Sequence, residues 1–329
     1  MLSQIRLTPP VPALPPQGAN LYTPPREVTS RDDCWFYHTV ELPSYGVIEG
    51  HWDLRAGVDD YLGHVPLQGK RVLEIGTASG YLCFHMERQG ANVIAFDIAE
   101  GQLWDFVPLL GPRELEPYLE RCARDFRRLH NSFWVGHRAT GSRAQVVHGN
   151  IYTLPPDIGP VDIVTFGSVL LHLRDPFLAL ANGVRFARET VIVTQPLSLR
   201  PFEPCVMGRE YEAWLNGAGA EFIPRRRPRG WRAQLKSLFG LRHLRRAPDN
   251  PQVPCMVFLP DAQTPGLLES WWFLTPLVVQ HFLGTLGFEE SRVSYHAQIF
   301  EGRRRPLYTV VARRTRPMPS RLDGGYPWI

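Results

Sequence analysis

The chain has 329 residues, 44% of them hydrophobic, and a formal charge of +4. That is enough apolar material for one large core or two modest ones, and too mild a charge to mark a nucleic-acid binder by composition. No apolar run reaches the roughly 18 residues of a membrane span, and the proline-rich start lacks the basic-then-apolar order of a secretory signal. Five scattered cysteines (Cys34, Cys83, Cys122, Cys205, Cys255), with no CxxC pair, fit reduced thiols and a cytoplasmic location rather than a disulfide framework or zinc site.

Residues 1–30 contain LTPPVPALPPQ and TPP, which resist helix and sheet and read as a disordered, polyproline-like arm. Residues 31–70 are aromatic and mixed, with a helix expected over RAGVDDYLGHV before the Gly69-Lys70 turn. From RVLEI (71–75) strands and helices alternate: a strand, the turn Gly76–Gly80, a helix over YLCFHMERQG, a second strand ANVIAFDI ending near Asp97, and a long charged helix over roughly 113–134. RAQVVHGN and VDIVTFGSVL read as the third and fourth strands, DPFLALANGVRFAR as a helix with proline in its first turn, and ETVIVTQP as the fifth strand. The alternation then breaks over about 197–265 and resumes with TPLVVQHFLGTLGF, a helix stopping at Gly287, and strands near SRVSYHAQIF and PLYTVVARR. Repeated strand–helix–strand units specify a parallel sheet covered on both faces. The expected architecture is therefore α/β: a Rossmann-like, seven-stranded, mostly parallel sheet over 71–313, its last two strands an antiparallel pair, with an insertion after the fifth strand and a flexible tail over 314–329.

The strongest functional signal is Glu74-x-Gly76-x-x-x-Gly80 between a strand and a helix, with Asp97 ending the next strand. Glycines there allow a tight turn and close backbone approach to a ligand at a helix N-terminus. An acidic residue about 20 positions on can accept ribose hydroxyls. A dinucleotide fingerprint needs a second glycine where Ala78 stands. A carboxylate at Glu74 would repel a pyrophosphate and suit the ammonium and sulfonium of S-adenosylmethionine.

These residues resemble the first motif of the class I S-adenosylmethionine-dependent methyltransferases, acidic–x–Gly–x–Gly–x–Gly, which VLEIGTASGYL matches except at Ala78. The resemblance implies that Glu74, Gly76, Thr77, Ala78 and Gly80 line the methionine end, that Asp97 holds the ribose, and that Ile98 lies against the base. HGNIY supplies Asn150 and Ile151 near the adenine, where the family often has an acidic residue and where Asn150 can accept from the amine. FGSVLLHLRDPFLAL, with Ser168, looks like the family's fourth-strand segment beneath the methionine. Within the family, GSVLLHLRDPFLAL and WWFLTPLVVQHFLGTLGF are similar to segments of the tRNA wobble-uridine carboxymethyltransferases, and also of small-molecule methyltransferases. The carboxymethylating enzymes use a carboxylated cofactor that needs a dedicated cationic contact; ordinary S-adenosylmethionine is the cofactor expected here.

Methyl transfer needs the acceptor aligned on the methyl group and, for a hydroxyl, help with its proton. His172, just after the fourth strand, is the expected general base, set against a merely structural role beside the cofactor. Trp35, Tyr37, His38, His51, Trp52 and Arg55 precede the first sheet strand; Trp35, His38, His51 and Arg55 are the expected acceptor contacts in a lid over the site. Trp271-Trp272-Phe273 serve either pocket wall or core. No metal-ligand cluster is present, so no metal is expected. Residues 225–246 carry nine Lys or Arg among Trp231, Leu235, Leu238, Phe239 and Leu241. That run suits RNA phosphates, an anionic membrane surface, or a solvated insertion. The expected activity is methyl transfer to a small or medium-sized metabolite, at oxygen. A tRNA-modifying enzyme and a non-catalytic S-adenosylmethionine-binding protein are the alternatives.

Overall fold

The computed structural model describes residues 20–102, 105–197, 254–262 and 268–318. Strands β1 (Val40–Leu42), β2 (Gly46–Ile48) and β3 (Trp52–Asp53) and helix α1 (Val58–Tyr61) form the N-terminal segment. The sheet then follows as β4 (Arg71–Ile75), α2 (Tyr81–Arg88), β5 (Asn92–Ile98), α3 (Pro112–Thr140), β6 (Gln145–Gly149), β7 (Val161–Gly167), α4 (Pro176–Val184) and β8 (Ala187–Pro196). β9 (Met256–Phe258) lies within the expected insertion, and after it come β10 (Trp272–Leu274), α5 (Pro276–Thr285), β11 (Glu290–Phe300) and β12 (Arg303–Arg313).

The main sheet runs β3-β11-β12-β8-β7-β4-β5-β6. β6, β5, β4, β7 and β8 are parallel, while β12 pairs antiparallel with both β8 and β11. The Rossmann-like sheet of seven strands is present as expected. The eighth strand, β3, comes from the N-terminal segment and extends β11 through Ile299↔Asp53 and Phe300↔Trp52.

Strand alternation builds two cores. In β4, Val72 faces one core while Leu73 and Ile75 face the other; in β5, Val93 and Ala95 oppose Ile94 and Phe96. Both faces are buried, so these strands read as continuous apolar runs rather than alternating ones.

Helix boundaries follow local chemistry. Asp175 Oδ1 accepts from Leu178 N at 2.9 Å and Pro176 opens α4. α4 ends at Val184, so the RFAR residues expected in it form a turn and the start of β8. α3 spans 29 residues, starting where expected and running on past 134 to Thr140; Glu114 folds back on Gly111 N at 3.1 Å, and Gly141 closes it with φ 62°. The helix expected over RAGVDDYLGHV shrinks to the single turn α1, because Gly63 and His64 both take positive φ directly after it.

The second part of the proline-rich arm is docked. Thr23 N donates to Val146 O at 2.8 Å, Arg26 pairs with Glu100 at 2.6 Å, and Leu21 and Tyr22 pack on the core. Likewise the start of the 314–329 tail is tied: Arg314 donates to Ala187 O and Val184 O. The basic run 225–246 and Cys205 lie outside the described residues.

Candidate functional site

The chain leaves β4 outward to β5 and β6, then returns to β7 on β4's other side, so the carboxyl ends of β4 and β7 flank the point where the winding reverses. Ligands in open α/β sheets bind in the crevice at such a point. A largely apolar cavity of about 300 Å³ lies there, reached by Ile75 and Gly76 from β4, Asp97 and Ile98 from β5, Gly149 and Asn150 after β6, and Gly167 and Ser168 after β7.

The turn after β4 is built for close approach. Gly76, Ala78 and Gly80 have φ of 82°, 50° and 87°. Only glycine adopts this region freely, so Ala78 holds it under strain. A Cβ on Gly80 would meet the Phe84 ring at 2.6 Å and the Phe133 ring at 2.8 Å, so this position also requires glycine for space. Asp97 fastens the turn to β5: Oδ2 accepts from Ala78 N at 2.7 Å and Oδ1 from Ile98 N at 2.8 Å. Burial raises its pKa, opposed by His130 and the two amides.

Ten of the expected contacts reach the cavity: Gly76, Ala78, Asp97, Ile98, Asn150, Ile151, Ser168, His172, Trp35 and His38. Glu74, Thr77 and Gly80 do not line it. Glu74 is 1% exposed beneath the turn, where Thr77 Oγ1 donates to its Oε2 at 2.8 Å and Oε1 has no partner among the described residues. Burial pushes its carboxyl up to about 8, so it is mostly protonated near neutral pH rather than the charged carboxylate expected to line the methionine end. Asn150 is also committed differently: its Oδ1 accepts from Tyr152 N at 2.8 Å, capping a short turn.

His51 and Arg55 turn away from the cavity. Along β3 the side chains alternate, so Trp52 and Leu54 face the cavity while His51 meets Glu301 at 3.2 Å and Arg55 grips Asp53 at 2.7 Å. Trp271, Trp272 and Phe273 stand behind it too. The Trp271 and Trp272 indoles donate to Asp105 O and Arg174 O, and Phe273 is core.

His172 is half-buried, and its Nδ1 meets the Glu269 carbonyl. That carbonyl can only accept, so Nδ1 carries the proton and Nε2 the lone pair when the ring is neutral. Burial lowers its pKa.

Several lining residues carried no expectation. Tyr118, Arg121, Cys122, Asp125, Phe126 and Leu129 form one inward face of α3; their helical spacing was visible, but the face mixes charge with aromatics. Tyr61, Gln102, Asp105, Tyr152 and Glu269 add to the wall beside Tyr37 of the expected lid segment, and Tyr61 Oη shares a 3.0 Å hydrogen bond with Ser168 Oγ. Among the described residues no cluster could hold a metal ion, and no helix is long and apolar enough to cross a membrane.

No protein-family model matches the chain, and no curated protein matches it. Solved structures resemble it distantly. Magnesium protoporphyrin IX methyltransferase (ChlM) from Synechocystis PCC 6803 with bound SAH is 14% identical, with TM-score 0.42 over 79% of this chain and 81% of its own. The N-terminal domain of EvdMO1 in the presence of SAH and D-fucose is 17% identical, with TM-score 0.44 over 85% and 91%. The 1,6-didemethyltoxoflavin-N1-methyltransferase of Burkholderia thailandensis is 13% identical, with TM-score 0.40 over 80% and 78%. Similarities this remote decide neither activity nor ligand; the α/β architecture stands on the strand order itself.

Proposed function

We propose that the chain is an S-adenosylmethionine-dependent methyltransferase acting on a small or medium-sized acceptor, at oxygen. The observation that carries this reading is the left-handed turn Gly76–Gly80, clamped by Asp97, at the sheet's switch point beside a cavity large enough for a ligand.

The residues fit the cofactor. Each Asp97 oxygen accepts one amide and keeps a second lone pair for a ribose hydroxyl. Gly76 and Ala78 bring backbone to the cavity surface, and Ile98 and Ile151 give the adenine end an apolar wall. A dinucleotide suits the site less well, since Ala78 stands where a pyrophosphate needs glycine. Bound S-adenosylmethionine supplies a methyl group on a positively charged sulfur.

Trp35, Tyr37 and Trp52 from the N-terminal segment and the inward face of α3 line the cavity with aromatic surface. His172, with its lone pair on Nε2, takes the acceptor's proton. Near-normal turnover of His172→Ala at saturating acceptor removes it from that role.

Calorimetric titration with S-adenosylmethionine tests the cofactor. Binding by the intact chain that disappears in a folded Asp97→Ala variant supports the assignment, and no binding by the intact chain overturns it.

A further inference from the structure

His38 is a polar side chain of the cavity whose backbone the fold pins and whose ring it leaves without a hydrogen-bond partner among the described residues. Its backbone is pinned from both sides: His38 N donates to Ser79 Oγ at 3.2 Å, and Trp52 N and Thr39 N bond across it to Tyr37 O and Trp52 O at 3.1 and 2.7 Å. Gly50 lies so close that a Cβ there would sit 2.4 Å from the His38 carbonyl carbon. Ser79 belongs to the Gly76–Gly80 turn, so the His38 backbone abuts the end of the cavity assigned to the methionine moiety.

His38 is 8% exposed and lines the cavity, and its ring packs against Tyr37 at 5.0 Å and Tyr81 at 6.0 Å between centroids. Its Nδ1 is shut off from solvent and has no hydrogen-bond partner among the described residues. Nε2 is then the nitrogen that reaches the cavity, and it too lacks a partner there. Burial alone lowers the ring's pKa to about 4, so it is neutral at physiological pH. A buried neutral imidazole without partners costs on the order of 1–3 kcal/mol. A ligand group bonded to Nε2 would offset part of that cost.

The rest of the wall fixes the ligand's character. Aromatic rings come from both the N-terminal segment and α3. Four carboxylates reach the cavity from Asp97, Asp105, Asp125 and Glu269, against one guanidinium, Arg121, among the described residues. That guanidinium lies over the Tyr118 ring at 5.2 Å. An acceptor bearing a carboxylate or phosphate would enter a field of its own sign. A hydroxyl both donates and accepts, so it satisfies Nε2 in either imidazole tautomer.

We infer that the methyl acceptor is an uncharged aromatic compound carrying a ring hydroxyl, and that His38 Nε2 recognises that hydroxyl. The inference rests on the methyltransferase reading for which end of the cavity the acceptor takes, but its test is binding and needs no turnover.

Equilibrium dialysis of the full chain at pH 7.5 compares 2-naphthol, naphthalene and 2-naphthoate, each with and without S-adenosylhomocysteine. The expected result is about tenfold tighter binding of 2-naphthol than of either analogue, the value of one buried hydrogen bond of about 1.4 kcal/mol. His38→Leu removes the advantage over naphthalene while leaving naphthalene binding unchanged, and His38→Gln restores part of it. Naphthoate binding as tightly as naphthol, or a naphthol advantage that survives in His38→Leu, overturns the inference. The wild-type comparison alone decides the charge preference should the variants fail to fold. Failure to bind S-adenosylhomocysteine in a parallel calorimetric titration counts against the cofactor assignment and leaves the naphthol result to be judged on its own.

Discussion

The Asp97 carboxylate accepts the Ala78 amide at 2.7 Å, across 19 residues of sequence, and so joins the end of β5 to the turn after β4. Its other oxygen holds Ile98 N, which makes the carboxylate a strut within the fold as well as a ligand contact. Asp97→Asn can keep only one of these bonds, because the amide nitrogen accepts nothing. The expected outcome is a loss of about 1–3 kcal/mol in stability, together with loss of S-adenosylmethionine binding. Urea unfolding followed by calorimetry on the folded variant separates the two.

Ala78 and Gly80 predict opposite responses to exchange. Ala78 sits at φ 50° without steric need for a methyl group, so Ala78→Gly relieves strain of about 1 kcal/mol, offset in part by a freer unfolded chain. Gly80→Ala adds a Cβ against Phe84 and Phe133 at φ 87° and costs about 1–3 kcal/mol. Equal effects of the two changes in thermal unfolding would contradict this account of the turn.

Stability should peak near pH 6.5. His38, His148 and His296 each fall to about 4 from 6.5 through burial. The unfolded chain therefore binds protons that the folded chain refuses, and stability is lost as pH falls from 6.5 toward 4. Glu74 runs the other way. Raised to about 8 from 4.5, it favours the folded state at low pH, and that contribution is lost as pH rises from 4.5 to 8. Three histidines outweigh one carboxyl below pH 6.5, and Glu74 dominates above it. Urea melts at pH 5, 6.5 and 8 should show both limbs, with Glu74→Gln flattening the alkaline one and His296→Asn the acid one. A monotonic rise from pH 5 to 8 would count against the buried Glu74 proton.

The sheet was legible because its central strands are buried on both faces and read as short β-branched runs ended by Gly76, Asp97 and Gly149. The turn at 76–80 was legible because glycines there have no cheaper substitute. Less legible were directions. His51 and Arg55 share a segment with Trp52, but only the pairing of β3 with β11 reveals which residues of the alternation face inward. Glu74 was read as a charged carboxylate facing the cofactor, yet a strand in mid-sheet buries it, and burial changes its charge. The α3 wall escaped because its inward positions 118, 121, 122, 125, 126 and 129 mix arginine and aspartate with aromatics, a pattern that an apolar-stripe search passes over.

Gly50 ties the geometry of His38 to a residue that touches no ligand. Its hypothetical Cβ lies 2.4 Å from the His38 carbonyl carbon and 2.7 Å from both His38 O and Thr39 N, all backbone atoms that cannot swing aside. Gly46 provides the contrast: it has φ 70° and open space around it, so Gly46→Ala costs only the conformational strain of about 1–2 kcal/mol. Gly50→Ala must instead move the chain at 38–39 and with it the wall that His38 and Trp52 make. The expected outcome is a folded protein in which 2-naphthol loses its advantage over naphthalene while S-adenosylhomocysteine still binds, since Asp97 holds the 76–80 turn even where the His38 N bond to Ser79 is lost. Gly46→Ala should leave both affinities unchanged. Should Gly50→Ala weaken the cofactor and the naphthol alike, the N-terminal segment and the glycine turn form one mechanical unit and the acceptor wall is not independently positioned.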